Sequence, residues 1–158
     1  MWKSVIILAA GAFVELIIAP GYGADDVSAA LDSPVGLWKT FDVDGQVESL
    51  VRIREYRGVL YATVTKVLAS EAKSEDVRCT WCEGKRKDAP IVGMTIMGGM
   101  KKDGNIWSGG WIYDPKRDMT AKCRIELLEG GKKLKVRGYI TFFLGETRYW
   151  KRILRRNI

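Results

Sequence analysis

The chain of 158 residues contains no histidine. This absence excludes a Ser-His-Asp triad, a Cys-His dyad, a histidine general base and every zinc site that needs an imidazole ligand. Cysteine is also scarce, with three residues in the whole chain, so a zinc site of four thiolates is excluded as well. Three thiolates with one carboxylate remain as an unusual zinc option. We expect no metal and no other cofactor.

Long apolar runs are absent after the N-terminal segment. That segment starts with a short basic region, Met1-Trp2-Lys3, continues with an apolar stretch over 4–19 that contains Glu15, and ends in small residues. This order predicts a cleaved secretory signal peptide over 1–24. A transmembrane anchor is the alternative, but the stretch is shorter than the roughly 20 residues that a spanning helix needs. We therefore expect residues 25–158 to be periplasmic or secreted.

Acidic residues are fewer than basic ones, 19 against 26, and the formal net charge is +7. A basic surface attracts polyanions. Nucleic acid is not expected as the partner of an exported protein, so an anionic envelope surface, of lipid or acidic polymer, is the partner that this charge favours. A solvated surface with no partner is the alternative.

The mature chain shows the pattern of β-strands separated by turns. Turn signals such as Asp44-Gly45 and Asp103-Gly104 separate short segments in which apolar residues alternate with polar ones. This alternation is typical of half-buried antiparallel strands. Near the C-terminus it predicts that Leu134, Val136 and Ile140 are buried together.

About eight strands are predicted, at 36–43, 47–56, 59–68, 91–97, 105–113, 119–128, 133–143 and 146–154. Antiparallel strands joined by short hairpins can remove their exposed edges by closing into a barrel. The predicted fold class is all-β, with one antiparallel up-and-down barrel over 25–158. The interior of such a barrel is packed with side chains or holds one small ligand.

Aromatic residues provide the candidate ligand-binding site. Trp107, Trp111 and Tyr113 share one face of a predicted strand by their spacing, and Gly109 leaves space between the two tryptophans. Core packing is the usual role of such a row. The alternative is the floor of a pocket for an apolar ligand, which these three residues would line together with Trp38.

Cys79-Thr-Trp-Cys82 has the spacing of a redox dithiol, of half a zinc site or of a local disulfide. A redox dithiol favours a helix N-terminus, but a charged, loop-like segment follows Cys82. In an oxidising compartment two of the three cysteines should pair. A bond between Cys79 and Cys82 is favoured over one to Cys123, and both remain open.

Carboxylates do not form an obvious catalytic pair. Asp42 and Asp44 flank one predicted turn, and Asp114 and Asp118 flank another, which turn chemistry explains. The sequence therefore identifies no catalytic residue, and an enzyme is not the favoured interpretation.

The chain resembles lipocalin-like barrels in two features. Gly36-Leu37-Trp38 matches the Gly-x-Trp motif of their first strand, and Arg152 lies near the end of the last predicted strand. The resemblance implies that Arg152 stacks over Trp38 and closes the base of the barrel.

A closer resemblance, to the bacterial DUF2147 family, covers nearly the whole mature chain. It rests on the order and spacing of these blocks: Ser33-Pro-Val-Gly-Leu-Trp-Lys-Thr, Cys79-x-x-Cys-x-Gly, Pro90-Ile-Val-Gly-Met, Trp107-x-Gly-Gly, Asp114-Pro, Val136-Arg-Gly-Tyr and Trp150-x-Arg. The resemblance implies a small secreted or periplasmic protein with a lipocalin-like barrel, and it supplies no catalytic residues.

Three hypotheses for the function follow. The first is a binding module for a small apolar or amphipathic ligand. The second is a thiol-disulfide protein that uses Cys79 and Cys82. The third is an interaction protein that docks on the envelope through its basic surface. The oligomeric state is left open by the sequence.

Overall fold

The computed structural model describes residues 31–68 and 73–154. Within them lie eight strands: β1 (Gly36–Phe41), β2 (Val47–Tyr56), β3 (Val59–Val67), β4 (Thr95–Asp103), β5 (Ile106–Asp114), β6 (Met119–Leu128), β7 (Lys133–Tyr139) and β8 (Gly145–Arg152). The predicted signal peptide over 1–24 lies outside the described residues. No helix in the described part of the chain has the length and apolar character needed to cross a bilayer.

Each strand pairs antiparallel with the next, and β1 pairs with β8, so the sheet closes into a barrel. The predicted all-β, up-and-down architecture is therefore confirmed. Because successive strands run in opposite directions, alternate connections lie at the same end of the barrel. The β1–β2, β3–β4, β5–β6 and β7–β8 connections surround what we call the open end. The other three connections and residues 31–35 lie at the closed end.

Alternate side chains on each strand point inward and form the core. Near the closed end these side chains are large and almost fully buried, among them Trp38, Ile53, Leu60, Met100 and Leu134. Burial of an apolar side chain of this size contributes about 1.5–3 kcal/mol. The closed half of the interior is therefore a packed core that holds the strands together.

Six of the predicted strands begin and end within two residues of the observed ones, and two differ more. The fourth was predicted at 91–97, but β4 spans Thr95–Asp103. The apolar residues before it belong to the long β3–β4 connection. The N–H group of Ile91 donates to the carbonyl oxygen of Val77, and that of Gly93 donates to Val64. These bonds hold the segment in a loop before the strand begins.

The seventh strand was predicted to reach residue 143, but β7 ends at Tyr139. The N–H group of Ile140 donates to the carbonyl oxygen of Leu144, which closes a turn. Ile140 was predicted to be buried, and this is wrong, because 56% of it is exposed. The apolar residues after Tyr139 thus form the tip of the β7–β8 hairpin.

The row of aromatic residues on β5 is divided between two faces of the sheet. The pairing of β5 with β6 shifts register between Trp107 and Gly110. Gly109 lies in this irregular stretch with a φ of +78°, a conformation that glycine adopts without strain. Trp107 points into the barrel, whereas Trp111 and Tyr113 point outward. The prediction that the three residues share one face is therefore wrong.

Candidate functional site

The open half of the barrel interior encloses a cavity of about 850 Å³. All eight strands contribute to its lining. Its wall is built mainly from inward-facing apolar side chains, including Val64, Ile96, Ile112, Ala121, Val136 and Trp150. The barrel therefore has an apolar chamber above the packed core of its closed half.

The sizes of the inward-facing side chains explain why only one half of the barrel is hollow. Towards the open end, β6 presents Ala121 and β7 presents Gly138, and both line the cavity. Towards the closed end, the same two strands present Ile125 and Leu134, which are buried in the core. Small residues near the open end thus leave the volume that larger residues fill below.

One buried polar pair interrupts the apolar wall. The hydroxyl groups of Thr40 on β1 and Ser49 on β2 lie 2.8 Å apart, and both residues are buried. The Thr40 hydroxyl also accepts a hydrogen bond from the Ser49 N–H group at 3.1 Å. Because these groups satisfy each other, the pair adds little cost to the burial of an apolar molecule beside it.

Paired charges surround the mouth of the cavity. Arg117, on the β5–β6 connection, donates to Oε2 of Glu146 at 2.7 Å, and Arg148 pairs with the same carboxylate. The hydrogen bond from Arg117 holds the pKa of Glu146 below its usual range. Lys116 pairs with Glu48 across the mouth at 2.5 Å. The rim is therefore polar, in contrast to the wall below it.

Among the basic residues that line the cavity, Arg148 lies on a strand of the barrel, whereas the others lie on connections. It lies two residues from Trp150 on the same face of β8, and the residue paired with it on β7 is Val136. All three line the cavity. A guanidinium group with several donors beside an apolar chamber can bind a polar or acidic group of a ligand whose apolar part lies deeper.

Of the four aromatic residues predicted to line a pocket, Tyr113 is among the residues at the mouth of the cavity, although its side chain points outward and packs against Cys79 and Cys82. Trp38 and Trp107 belong to the packed core. Trp111 lies on the outer surface, where its ring packs closely over Gly98. A Cβ atom added at Gly98 would lie 2.9 Å from this ring. The structure thus does not bring these four residues together around one space.

Arg152 and Trp38 meet at the closed end. The guanidinium carbon of Arg152 lies 4.3 Å from the centre of the Trp38 ring. The same group donates to the carbonyl oxygens of Gly131 at 2.6 Å, Val35 at 2.7 Å and Ser33 at 2.6 Å. This side chain therefore covers the end of the barrel opposite the cavity.

Cys79 and Cys82 lie in the β3–β4 connection, with their sulfur atoms within bonding distance of each other. Both are buried beside Tyr113, whose hydroxyl lies 2.8 Å from Sγ of Cys82. The indole N–H group of Trp81 donates to the carbonyl oxygen of Pro115 at 2.8 Å. The motif thus fastens the long connection to the outside of the barrel near its mouth, an arrangement that favours a structural role.

Cys123 lies apart from the other two cysteines, inside the barrel. Its side chain is fully buried, with Sγ 3.9 Å from the sulfur of Met97, and it is a free thiol. Burial raises the pKa of this thiol to about 12, so it stays protonated at neutral pH. Within the described residues, no three Cys, Asp or Glu side chains come together in a metal-binding arrangement.

Sequence patterns did not identify Arg148 or the apolar wall as parts of a site. The wall residues come from eight strands, and each is an ordinary apolar residue on an alternating strand. The one available signal was the spacing of Glu146, Arg148 and Trp150, which places two charges on the inward face of the last strand. Charges on an inward face indicate an open interior, because isolated buried charges are costly.

Comparison with known proteins supports the barrel. HP1028 from the human pathogen Helicobacter pylori, which belongs to the lipocalin family, has a solved structure similar to this one, with a TM-score of 0.63. The two are 21% identical, and the match covers 77% of this chain and 84% of that one. Among curated proteins, none matches the chain significantly in sequence. A family model described as an uncharacterised protein conserved in bacteria, DUF2147, matches residues 36–152, and the chain belongs to this family.

Proposed function

We propose that this protein binds one small apolar or amphipathic molecule in the cavity at the open end of its barrel. The observation that carries the proposal is the division of the interior into a packed closed half and an apolar chamber of about 850 Å³. Sites for small molecules typically have volumes of about 300–1,000 Å³ and mostly apolar walls with a few placed polar groups. Eight-stranded lipocalins hold one small ligand in the corresponding space.

The arrangement of charge gives the ligand an orientation. Its apolar part would lie against Val136 and Trp150, and its polar part would lie at the mouth beside Arg148 and Glu146. A molecule with this polarity buries its apolar part against the wall and keeps its polar group in contact with water. The proposal therefore includes amphipathic molecules, with the polar end outward.

Native mass spectrometry on protein purified without reductant tests this proposal. A bound molecule adds mass that is lost on denaturation. Ala121→Trp places a large side chain in the cavity, and we expect it to abolish the added mass. Thr120→Trp is the matched control, because this neighbour points outward on the same strand, and it should retain the ligand. A wild-type protein without added mass, also after incubation with a lipid extract, would contradict the proposal.

We also propose that the protein acts outside the cytoplasm. The support is the pattern of a basic start, an apolar stretch and small residues over 1–24. The mass of the protein recovered by osmotic shock tests it. A mass that corresponds to a chain starting near residue 25 supports export, and an uncleaved chain in the cytoplasmic fraction contradicts it.

A further inference from the structure

The tip of the β7–β8 hairpin exposes a cluster of large apolar side chains. Phe142 is 77% exposed and Phe143 is 91% exposed, and Ile140 and Leu144 are more than half exposed. The two phenylalanine rings meet edge to face with their centres 5.2 Å apart. We call residues 140–144 the apolar tip. Clusters of this kind mark sites of interaction with other proteins or with membranes.

Hydrogen bonds hold the apolar tip in this exposed conformation. Besides the bond between Ile140 and Leu144, the Thr141 hydroxyl accepts a hydrogen bond from the Leu144 N–H group at 3.2 Å. Arg137 on β7 donates to the carbonyl oxygen of Phe142 at 3.3 Å. The turn is therefore built to present its phenylalanines to the surroundings.

Positive charge lies directly beside the apolar tip. The outward-facing charged side chains of β6 and β7 are Lys122, Arg124, Glu126, Lys133, Lys135 and Arg137. Five are basic and one is acidic, so this surface, which we call the basic face, has a net charge of +4. Its positive charge fits an anionic surface.

The part of the basic face nearest the open end is the part whose cations lack ion pairs. Lys135 pairs with Glu126 at 3.4 Å and Lys133 pairs with Glu129 at 2.9 Å, both towards the closed end. Arg124 lies directly opposite Arg137 across the two strands, and neither has an acidic partner among the described residues. Like charges that face each other across a sheet are destabilising, so an external anion would relieve this repulsion.

We propose that the apolar tip inserts into the surface of a bilayer that contains anionic phospholipid, while the part of the basic face nearest the open end, formed by Lys122, Arg124 and Arg137, contacts the headgroups. Arg137 lies three residues before Ile140, which at the rise of a strand corresponds to about 10 Å. Interfacial protein segments bury their apolar side chains to a depth of about 5–10 Å, and the headgroups lie just above that level. The phenylalanines and the arginines are thus spaced to occupy these two layers.

Two other loops at the open end support a bilayer as the partner. Val43 on the β1–β2 connection is 78% exposed and Trp81 on the β3–β4 connection is 61% exposed. These side chains lie on separate connections around the mouth of the cavity, which they line together with Ile140 and Leu144 of the apolar tip. A bilayer surface contacts several separate loop tips at once. This docking does not depend on a ligand in the cavity.

Co-sedimentation with lipid vesicles tests the proposal. The protein is released from cells in soluble form and mixed with vesicles of phosphatidylcholine, with or without phosphatidylglycerol. We expect binding to the anionic vesicles that weakens when the salt concentration is raised. Phe142→Ser with Phe143→Ser should weaken this binding at least about tenfold, because two large apolar side chains are lost from the interface. Tyr56→Ser, at an exposed aromatic residue of the closed end, is the matched control and should bind as the wild type does.

Charge reversal tests the second part of the contact. Lys122→Glu with Arg124→Glu should weaken binding to anionic vesicles about tenfold or more, because each basic residue near such a surface adds to the attraction. Arg54→Glu, on the outside of β2, is the control. Equal binding of the wild type and the phenylalanine variant, or no binding to anionic vesicles by the wild type, would overturn the proposal. Binding to a soluble acidic polysaccharide that competes fully with the vesicles would also overturn it, in favour of a polyanion site.

A fluorescent label locates the contact independently of affinity. An environment-sensitive dye attached to a Phe143→Cys variant should shift its emission to the blue when anionic vesicles are added. The same dye attached to a Tyr56→Cys variant should not respond, and the opposite pattern would contradict docking through the tip. Native mass spectrometry of the phenylalanine variant separates the two proposals, since the cavity should still hold its ligand.

Discussion

The guanidinium carbon of Arg152 lies 4.3 Å from the centre of the Trp38 ring, which places the end of the last strand over the first. Through its hydrogen bonds to Ser33, Val35 and Gly131, the same side chain also holds the segment before β1 and the β6–β7 connection. The closed end of the barrel therefore depends on one cation that joins three parts of the chain.

Arg152→Ala should lower the free energy of unfolding by about 2–4 kcal/mol, because it removes a cation–π contact and hydrogen bonds from a charged donor. Urea unfolding followed by circular dichroism measures the change. Lys151→Ala, at the exposed neighbouring position, should change the stability by less than about 0.5 kcal/mol. Similar losses in the two variants would show that Arg152 does not act in this way.

Gly36→Ala should lower the free energy of unfolding by about 1–3 kcal/mol, because Gly36 has a φ of +147° and an added Cβ would lie 2.8 Å from Nη1 of Arg152. Gly45→Ala is the control for backbone strain alone, since Gly45 has a φ of +78° with nothing within 4 Å of an added Cβ. A double-mutant cycle with Arg152→Ala separates the two costs. If Gly36→Ala costs the same with and without the arginine, the steric explanation is wrong.

The buried thiol of Cys123 should make stability fall at alkaline pH. Burial raises its pKa to about 12, and burial with a hydrogen bond to Asp118 raises the pKa of Tyr113 to about 12. The unfolded chain loses these protons at lower pH, so the stabilisation is complete below pH 9 and is lost as the pH rises towards 12. We expect a fall of about 2 kcal/mol from about pH 8 to about pH 10, most of it from Cys123. Cys123→Ala should show a smaller fall, and an unchanged pH dependence would contradict the assignment to Cys123.

Arg117→Gln should raise the pKa of Glu146, because the hydrogen bond from Arg117 is the main reason that this pKa is low. The stability that this interaction adds is present above the ordinary carboxyl pKa and is lost as the pH falls through the lower value of the folded protein. Water screens the pair, since the Glu146 side chain is 46% exposed, so the effect on stability should be small. An NMR titration of the Glu146 carboxyl carbon measures the pKa. Lys116→Gln, on the same turn, should leave it unchanged.

Trp150→Phe should remove most of the fluorescence quenching caused by a ligand in the cavity. Trp150 lines the wall of the cavity and Trp81 its mouth, whereas Trp38 and Trp107 lie in the packed core below it, so the comparison is made in a Trp81→Phe background. A doxyl-labelled stearic acid is a suitable probe, because its nitroxide quenches only tryptophans that it approaches closely. Trp111→Phe, on the outer surface, should leave the quenching unchanged. Quenching that persists in Trp150→Phe and disappears in Trp111→Phe would place the probe outside the barrel.

Alternating hydrophobicity predicted most of this fold because each strand has one face in the barrel and one in water. It failed where apolar residues have another role. Ile140 and Phe142 continue the alternation of β7 in the sequence, but a backbone hydrogen bond turns the chain there and exposes them. The residues around Ile91 are apolar because they cover the outside of the barrel beside Met94 and the cysteine motif.

The aromatic residues show the same limit at the candidate site. Spacing placed Trp107 and Trp111 on one face, but a single irregularity in the pairing of β5 with β6 reverses every side chain that follows it. Local sequence does not specify such a shift, since it depends on the partner strand. The cavity was therefore assigned to aromatic residues, although small and branched residues from many strands form its wall.

By itself, the sequence determined that the chain after residue 35 forms antiparallel strands joined by hairpins, that chemistry based on histidine is excluded, and that the surface is basic. These properties depend on composition and on a two-residue period, which a chain carries without its fold. The tertiary structure alone decided that one half of the barrel is hollow, that Cys123 is buried away from solvent and that the four large apolar side chains of the apolar tip face outward. Each of these depends on which distant side chains share a space.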